Sequence, residues 1–170
     1  MGIDPAKIIV IGASGGGNLA AVTTLAARDQ GGPGICAQLL CYPVLDDRMD
    51  TCSHKQFAGK GLWLGEHNVA AWDMVLRERR GTKDVSVYEV PTRATDLSGL
   101  PPTWLDVGSA ELFRDEVVAY ASKMWEQGGQ AELHVWPGGW HSFDGFAPNS
   151  ALAKVCHETL LAWMKRILAQ

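Results

Sequence analysis

At 170 residues the chain is long enough for one domain with a sizeable core. It is 46% apolar and 20% charged with a net charge of −4, an ordinary globular balance. Its cations form no stripe beyond Arg77-Glu-Arg-Arg80, which argues against a nucleic-acid surface, and no apolar run approaches the ~18 residues that a membrane span needs.

Residues Met1 to Pro5 carry no secretory pattern, and Ala6 breaks a myristoylation motif. The four cysteines (36, 41, 52 and 156) show neither Cys-x-x-Cys pairing nor metal-ligand spacing. They read as buried reduced thiols, which points to a cytoplasmic compartment.

The first predicted element is a strand over Ile8 to Ile11, a β-branched run suited to burial on both faces of a parallel sheet. It stops at Gly12-Ala13-Ser14-Gly15-Gly16, and a small-residue helix takes over, running to about Arg28. Strand, tight glycine turn and helix with a serine at the apex make the setting of a Gly-x-Ser-x-Gly nucleophile elbow. The Gly15 amide then opens a helix, where it suits a developing oxyanion. Two other glycine-turn chemistries fit less well. A phosphate loop needs a Gly-Lys-Ser/Thr ending, and a dinucleotide site needs an acid about 20 residues on; Asp29 comes too early.

Gly31-Gly32-Pro33-Gly34 stops the helix, and Ala37 to Tyr42 reads as a second buried strand, in a parallel βαβ unit with the first. Residues 46–100 form a long insertion between core strands, opening with the polar loop Asp46 to Asp50. It contains a helix from about Glu66 to Arg80 with Val69, Trp72 and Leu76 on one face. Insertions of this length cover sites or carry specificity. The third strand is Thr103 to Val107, followed by a helix from Asp115 to Gln127 whose inner face holds Val117, Tyr120 or Ala121, and Met124. The fourth strand, Ala131 to Trp136, alternates like an edge strand, which leaves His134 on the surface. An amphipathic helix from Ser150 to Ala169 ends the chain, with Leu152, Cys156, Leu160, Trp163 and Ile167 on its packed face. We read the whole of 1–170 as a single α/β domain with a mostly parallel sheet flanked by helices.

Strand C-termini of a parallel sheet share one edge, and Ser14, Glu111 and His141 each follow such an end. Acyl transfer needs these three types: a nucleophile, a histidine that takes and returns its proton, and a carboxylate that holds the imidazole tautomer. Asp106 lies mid-strand, and Asp115 and Glu116 fit a first helical turn, so Glu111 is the preferred acid. The aromatic residues Trp63, Trp72, Trp140 and Phe143 are candidates to line a substrate pocket, Trp72 equally for the core.

These motifs resemble those of the hormone-sensitive-lipase-like, bacterial family IV type of α/β-hydrolase. The elbow Gly12-Ala-Ser-Gly-Gly-Gly-Asn-Leu-Ala20 stands where that family has Gly-Asp-Ser-Ala-Gly-Gly-Asn-Leu-Ala. Tyr42-Pro43-Val-Leu-Asp-Asp-Arg48 resembles its segment after the next strand. Glu111-Leu-Phe-Arg-Asp-Glu116 matches its acid motif with glutamate for aspartate, and His141-Ser-Phe143 stands for His-Gly-Phe. The resemblance implies a serine carboxylic-ester hydrolase acting on small short-acyl esters, with Ser14, His141 and Glu111 catalytic, Gly15 N–H an oxyanion donor, and no metal or organic cofactor. It covers only the C-terminal half of the family fold, about its last four core strands. The family's upstream His-Gly-Gly-Gly oxyanion motif has no counterpart in this sequence, which implies impaired turnover. It also implies an uncovered sheet edge at the elbow strand, open to self-association or to pairing with an N-terminal half. The competing expectation is a non-catalytic relative serving as a binding or assembly module.

Overall fold

A computed structural model describes residues 2 and 4–169; Met1 and Ile3, within the leader-free start expected above, lie outside the described residues, as does Gln170. Four parallel strands form one sheet in the order β1 (Ile9–Ala13), β2 (Ala37–Cys41), β3 (Thr103–Gly108), β4 (Ala131–Trp136). The parallel register pairs Ile9 with Ala37, Gln38 with Thr103, and Thr103 with Ala131, so all four strands end along one edge. This is an α/β-hydrolase-type sheet flanked by helices.

Side-chain alternation divides the interior into two layers. Leu40, Leu105 and Val107 point to the face covered by α1 (Gly15–Asp29) and α4 (Arg114–Glu126), where they meet Ala20, Ala21, Leu25, Val117, Tyr120 and Met124. Leu39 and Trp104 point the other way, against Cys156 and Trp163 of α6 (Ala151–Leu168). α1 lies close to the sheet because its inner positions are Gly17, Ala20 and Ala21. The Ser150 side chain caps α6 by accepting the Ala153 N–H, and Leu152, Cys156, Leu160, Trp163 and Ile167 all belong to its packed side.

The segment between β2 and β3 carries α2 (Cys52–Phe57) and α3 (Gly65–Leu76), with single 3-10 turns at Arg77–Arg79 and Pro91–Arg93. α3 ends at Leu76, four residues before Arg80, because the next residue, Arg77, has a φ of +55° and leaves the helical region. Its buried side is Asn68, Trp72 and Leu76, while Val69 is only half-buried.

The structure departs from the sequence reading in β1 and the cysteines, and it places a polar loop where the sequence left its surroundings open. Ile11 is 60% exposed, so the isoleucine run of β1 is not buried on both faces; α6 reaches only as far as Ile9, and β1 stands at the sheet edge that the resemblance implied. Asp46 and Asp47, in what the sequence shows only as a polar loop, are buried. Asp47 accepts Arg93 Nε at 2.9 Å, Arg93 Nη2 at 2.7 Å and the Gly81 N–H at 2.6 Å, which replaces the water it gives up. Among the cysteines only Cys156 is buried, and Cys52 is exposed.

The Asp47–Arg93 pair fastens the two ends of the 46–100 segment to each other. Arg93→Ala leaves a buried carboxylate with one amide partner, and we expect a loss of about 3–5 kcal/mol in stability. Urea unfolding of the variant beside the parent chain checks this.

Candidate active site

Three loops at the C-terminal edge of the sheet converge. β1 passes into α1 through Ser14, whose backbone has φ +55° and ψ −123°, a strained conformation for a residue with a side chain. The turn is tight at Gly12: a Cβ there would lie 1.9 Å from the Gly16 carbonyl oxygen, while a Cβ on Gly16 would meet nothing. The strain is held from β2, since Ser14 N–H donates to the Cys41 carbonyl at 2.9 Å and Val44 N–H donates to the Ser14 carbonyl at 3.1 Å. The elbow therefore presents the Ser14 hydroxyl above the sheet, with the Gly15 N–H as the first amide of α1, a position without an intrahelical partner.

The loops after β3 and β4 are stitched together. Gly108 N–H donates to Glu111 Oε1 at 2.9 Å, Ala110 N–H to the Gly139 carbonyl at 2.9 Å, and Gly138 N–H to Ser109 Oγ at 2.8 Å. Their backbones touch: a Cβ on Gly108 would lie 2.2 Å from the Gly139 oxygen. This contact sets how far Glu111 stands from His141. His141 Nδ1 lies 2.6 Å from Glu111 Oε2, and His141 Nε2 lies 2.9 Å from Ser14 Oγ. Glu111 is 4% and His141 7% exposed. A buried carboxylate accepts only, so Nδ1 is the protonated nitrogen and Nε2 offers its lone pair to the serine. Phe113 and Tyr42 meet the imidazole edge-on at 5.1 and 5.2 Å, which walls it from water and restrains its rotation.

The structure thus brings Ser14, Gly15, His141 and Glu111 together. Trp63 joins them, with its ring 6.5 Å from the imidazole, in the wall of a cavity of about 370 Å³ beside Ser14. Trp72, weighed equally for core and pocket, lines the same cavity with Asn18, Leu19, Val44, Asn68, Ala71 and Val75. Trp140 and Phe143 do not reach this cavity, which corrects their expected place. Ser142 adopts a left-handed turn (φ +59°, ψ +28°) straight after His141, and α5 (Phe143–Phe146) folds back beneath the sheet. Phe143 is buried against Trp136 and Ala153 there, and Trp140 lies against that same cluster with Phe146 beside it. The aromatic enclosure of His141 by Tyr42 and Phe113 was not legible from spacing, because it depends on loops from three different strands.

The remaining candidates settle elsewhere. His134 is half-buried rather than on the surface, stacked on Trp104 at 4.4 Å and Trp136 at 5.2 Å. Asp106 is buried in the opposite layer, where Trp136 Nε1 at 2.9 Å and Cys156 Sγ at 3.3 Å donate to it; desolvation raises its pKa. Glu116 occupies the first turn of α4 as the sequence suggests, but it is fully enclosed, and its Oε1 accepts the Leu45 N–H at 2.7 Å. Among the described residues no helix is long and apolar enough to cross a membrane, and no group of three His, Cys, Asp or Glu is placed to hold a metal ion.

A family model described as the alpha/beta hydrolase fold matches residues 1–145. The chain belongs to the α/β-hydrolase family. Within it the likeness is to the hormone-sensitive-lipase-like branch, and to esterases in particular. The bacterial heroin esterase structure superposes with a TM-score of 0.94 at 39% identity, over 98% of this chain and 53% of that one. The esterase LipW of Mycobacterium marinum gives 0.91 at 32% identity, over 98% and 52%. Carboxylesterase NlhH of Mycobacterium tuberculosis is 32% identical across 99% of this chain and 53% of its own. The chain spans about half the length of the relatives it matches.

The buried Glu116 carries a pH signature. Desolvation, its largest influence, drives its pKa well above the ordinary 4.5, so the folded chain keeps the proton that the unfolded chain releases. A raised carboxyl contributes stability below the unfolded pKa and loses it as pH rises toward the folded value. Glu116→Gln keeps the oxygen that accepts Leu45 N–H and removes the titration. We expect the variant to match the parent near pH 4 and to exceed it increasingly toward pH 8, read as urea midpoints across that range.

Proposed function

We propose that the chain carries the acyl-transfer site of a carboxylic-ester hydrolase, with Ser14 as nucleophile, His141 as general base and acid, Glu111 as orienting carboxylate and Gly15 N–H as oxyanion donor. The observation that carries it is the unbroken hydrogen-bonded chain Ser14–His141–Glu111 at the strand ends. The esterases to which the chain is similar support the same reading.

In this reading Ser14 Oγ attacks the ester carbonyl carbon while His141 Nε2 takes its proton. The carbonyl π electrons move to the oxygen, which draws on the Gly15 N–H and the N-terminal end of α1. The bond to the alcohol oxygen then breaks, and the imidazolium returns the proton to the leaving alkoxide. Glu111 stabilises the imidazolium meanwhile. Water attacks the acyl-serine by the same route, and Ser14 is restored as the carboxylic acid leaves. Ester and water become acid and alcohol, with no electrons to supply and no cofactor required. Short-acyl esters are the proposed substrates; a thioester or amide would follow the same steps.

These 170 residues contain no His-Gly-Gly-Gly run, so taken by themselves they offer Gly15 N–H without the upstream donors of the resembled family. Loss of one such donor lowers turnover by roughly 10²–10³. The exposed Ile11 on the free β1 edge favours pairing with a second copy or with an upstream half, and it is the observation behind the alternative of a non-catalytic assembly module.

Hydrolysis of p-nitrophenyl acetate and butyrate by the chain, beside Ser14→Ala, tests the proposal together with labelling by a fluorophosphonate. We expect slow turnover and labelling that both vanish in Ser14→Ala. Equal rates in the two proteins without labelling would leave the module reading in place.

A further inference from the structure

Glu111 stands in the short loop between β3 and α4, and the bonds to Gly138 and Gly139 hold that loop from the side of β4. A second set of bonds reaches the same loop from α2, which belongs to the 46–100 segment. Ser53 is fully buried; its hydroxyl donates to the Leu112 carbonyl at 2.6 Å and accepts the Asp115 N–H at 3.2 Å. The Ser53 N–H in turn donates to Asp115 Oδ2 at 2.7 Å. Arg114 completes the set. Its Nε donates to Asp115 Oδ1 at 2.7 Å, its Nη1 to the Ser109 carbonyl at 3.1 Å and its Nη2 to Gln56 Oε1 at 3.0 Å. The same guanidinium lies 5.8 Å from the centre of the Phe57 ring.

Ser53 and Gln56 are three residues apart, so one face of α2 makes both attachments. The attachments fall on either side of the catalytic acid: Ser109 precedes Glu111 and Leu112 follows it, and both are held by their backbone carbonyls. A single turn of apolar packing would let such a loop slide, whereas directional bonds to two of its carbonyls fix one position. The planar fork of Arg114 suits it to meet three oxygens at once. Burial is the largest influence on Asp115 and works to raise its pKa; the bonds from Arg114 and Ser53 together outweigh it, and the carboxyl stays an acceptor for both.

We infer that Ser53, Arg114 and Asp115 are positioning residues, through which α2 fixes the Glu111 loop and with it the 2.6 Å bond between His141 Nδ1 and Glu111 Oε2. The inference rests on the Ser14–His141–Glu111 reading for its catalytic meaning, but the bond can be observed without turnover. An orienting carboxylate is only as well placed as the loop that carries it, and the supporting bonds of such a loop decide whether a site is tight or loose. The 46–100 segment thereby touches the site twice. Trp63, six residues beyond Phe57, walls the cavity beside Ser14, and α2 sets the acid.

The test reads the proton on His141 Nδ1 by NMR, where a proton in so short a bond resonates far downfield; its absence from His141→Asn assigns the signal. We expect Ser53→Ala to move this resonance upfield and to speed its exchange with water about five- to tenfold, the worth of one lost hydrogen bond. Gln56→Ala, at an exposed position, is the second variant should Ser53→Ala fail to fold, and we expect the same direction at about two- to threefold. Arg93→Ala is the control for stability alone, since it loosens the same segment at Asp47; we expect the parent's resonance and rate. Equal acceleration in Arg93→Ala, an unchanged signal in both α2 variants, or no downfield signal in the parent overturns the inference. Hydrolysis of p-nitrophenyl acetate separates it from the hydrolase reading, and we expect Ser53→Ala to lower kcat with KM unchanged. Turnover beside an undisturbed His141 proton sinks this inference and keeps the hydrolase; a disturbed proton without turnover in the parent does the opposite.

Discussion

The His141 imidazole is held between oxygens that reach it from two other strands, Ser14 Oγ after β1 and Glu111 Oε2 after β3. Nothing local to His141 sets either distance. They follow from the parallel register, which brings the ends of β1, β3 and β4 to one edge, and from the backbone contact between Gly108 and Gly139, which admits no side chain. A parallel sheet needs helical crossovers, so residues brought together here are separated by up to 127 positions in the chain. The arrangement is a tertiary property built from ordinary strands.

The 46–100 segment supplies what the strands do not. Its base holds buried polar contacts: Asp47 accepts from Arg93 and the Gly81 amide, and Glu116 of α4 accepts from the Leu45 amide beside it. These buried charges and hydrogen bonds fix one geometry where an apolar contact would allow several. The benefit falls on α3, whose Trp72 and Asn68 form one wall of the cavity while Ser14 and Asn18 form the other. Sheet and insertion thus meet across the nucleophile.

Much of this was legible beforehand. Strand β4 matches its expected bounds, β2 and β3 differ by one residue, and the inner faces of α4 and α6 are the expected ones, because hydrophobic period reports local geometry directly. The elbow was legible for a chemical reason: only a glycine at 12 allows strand and helix to approach at that turn, although a Cβ on Gly16 would meet nothing. The misreadings share a cause as well. The isoleucines of β1 look like a doubly buried strand, the aspartates after Leu45 like a polar loop without partners, and Trp140 and Phe143 like pocket walls. In each, residue type was right and the neighbour was unknowable from spacing: α6 stops short of Ile11, Arg93 comes from 46 positions away, and a left-handed turn at Ser142 sends the chain beneath the sheet.

The sequence by itself determined the alternation of strands and helices, the parallel sheet, the serine elbow, and the order of serine, acid and histidine past strand ends, since each is written in periodicity or turn chemistry within a few residues. Only the tertiary structure decided which carboxylate reaches His141, which aromatics wall it in, and which side chains line the cavity beside Ser14. Those outcomes depend on contacts between segments far apart in the chain, and a distance between two loops has no signature in either loop alone.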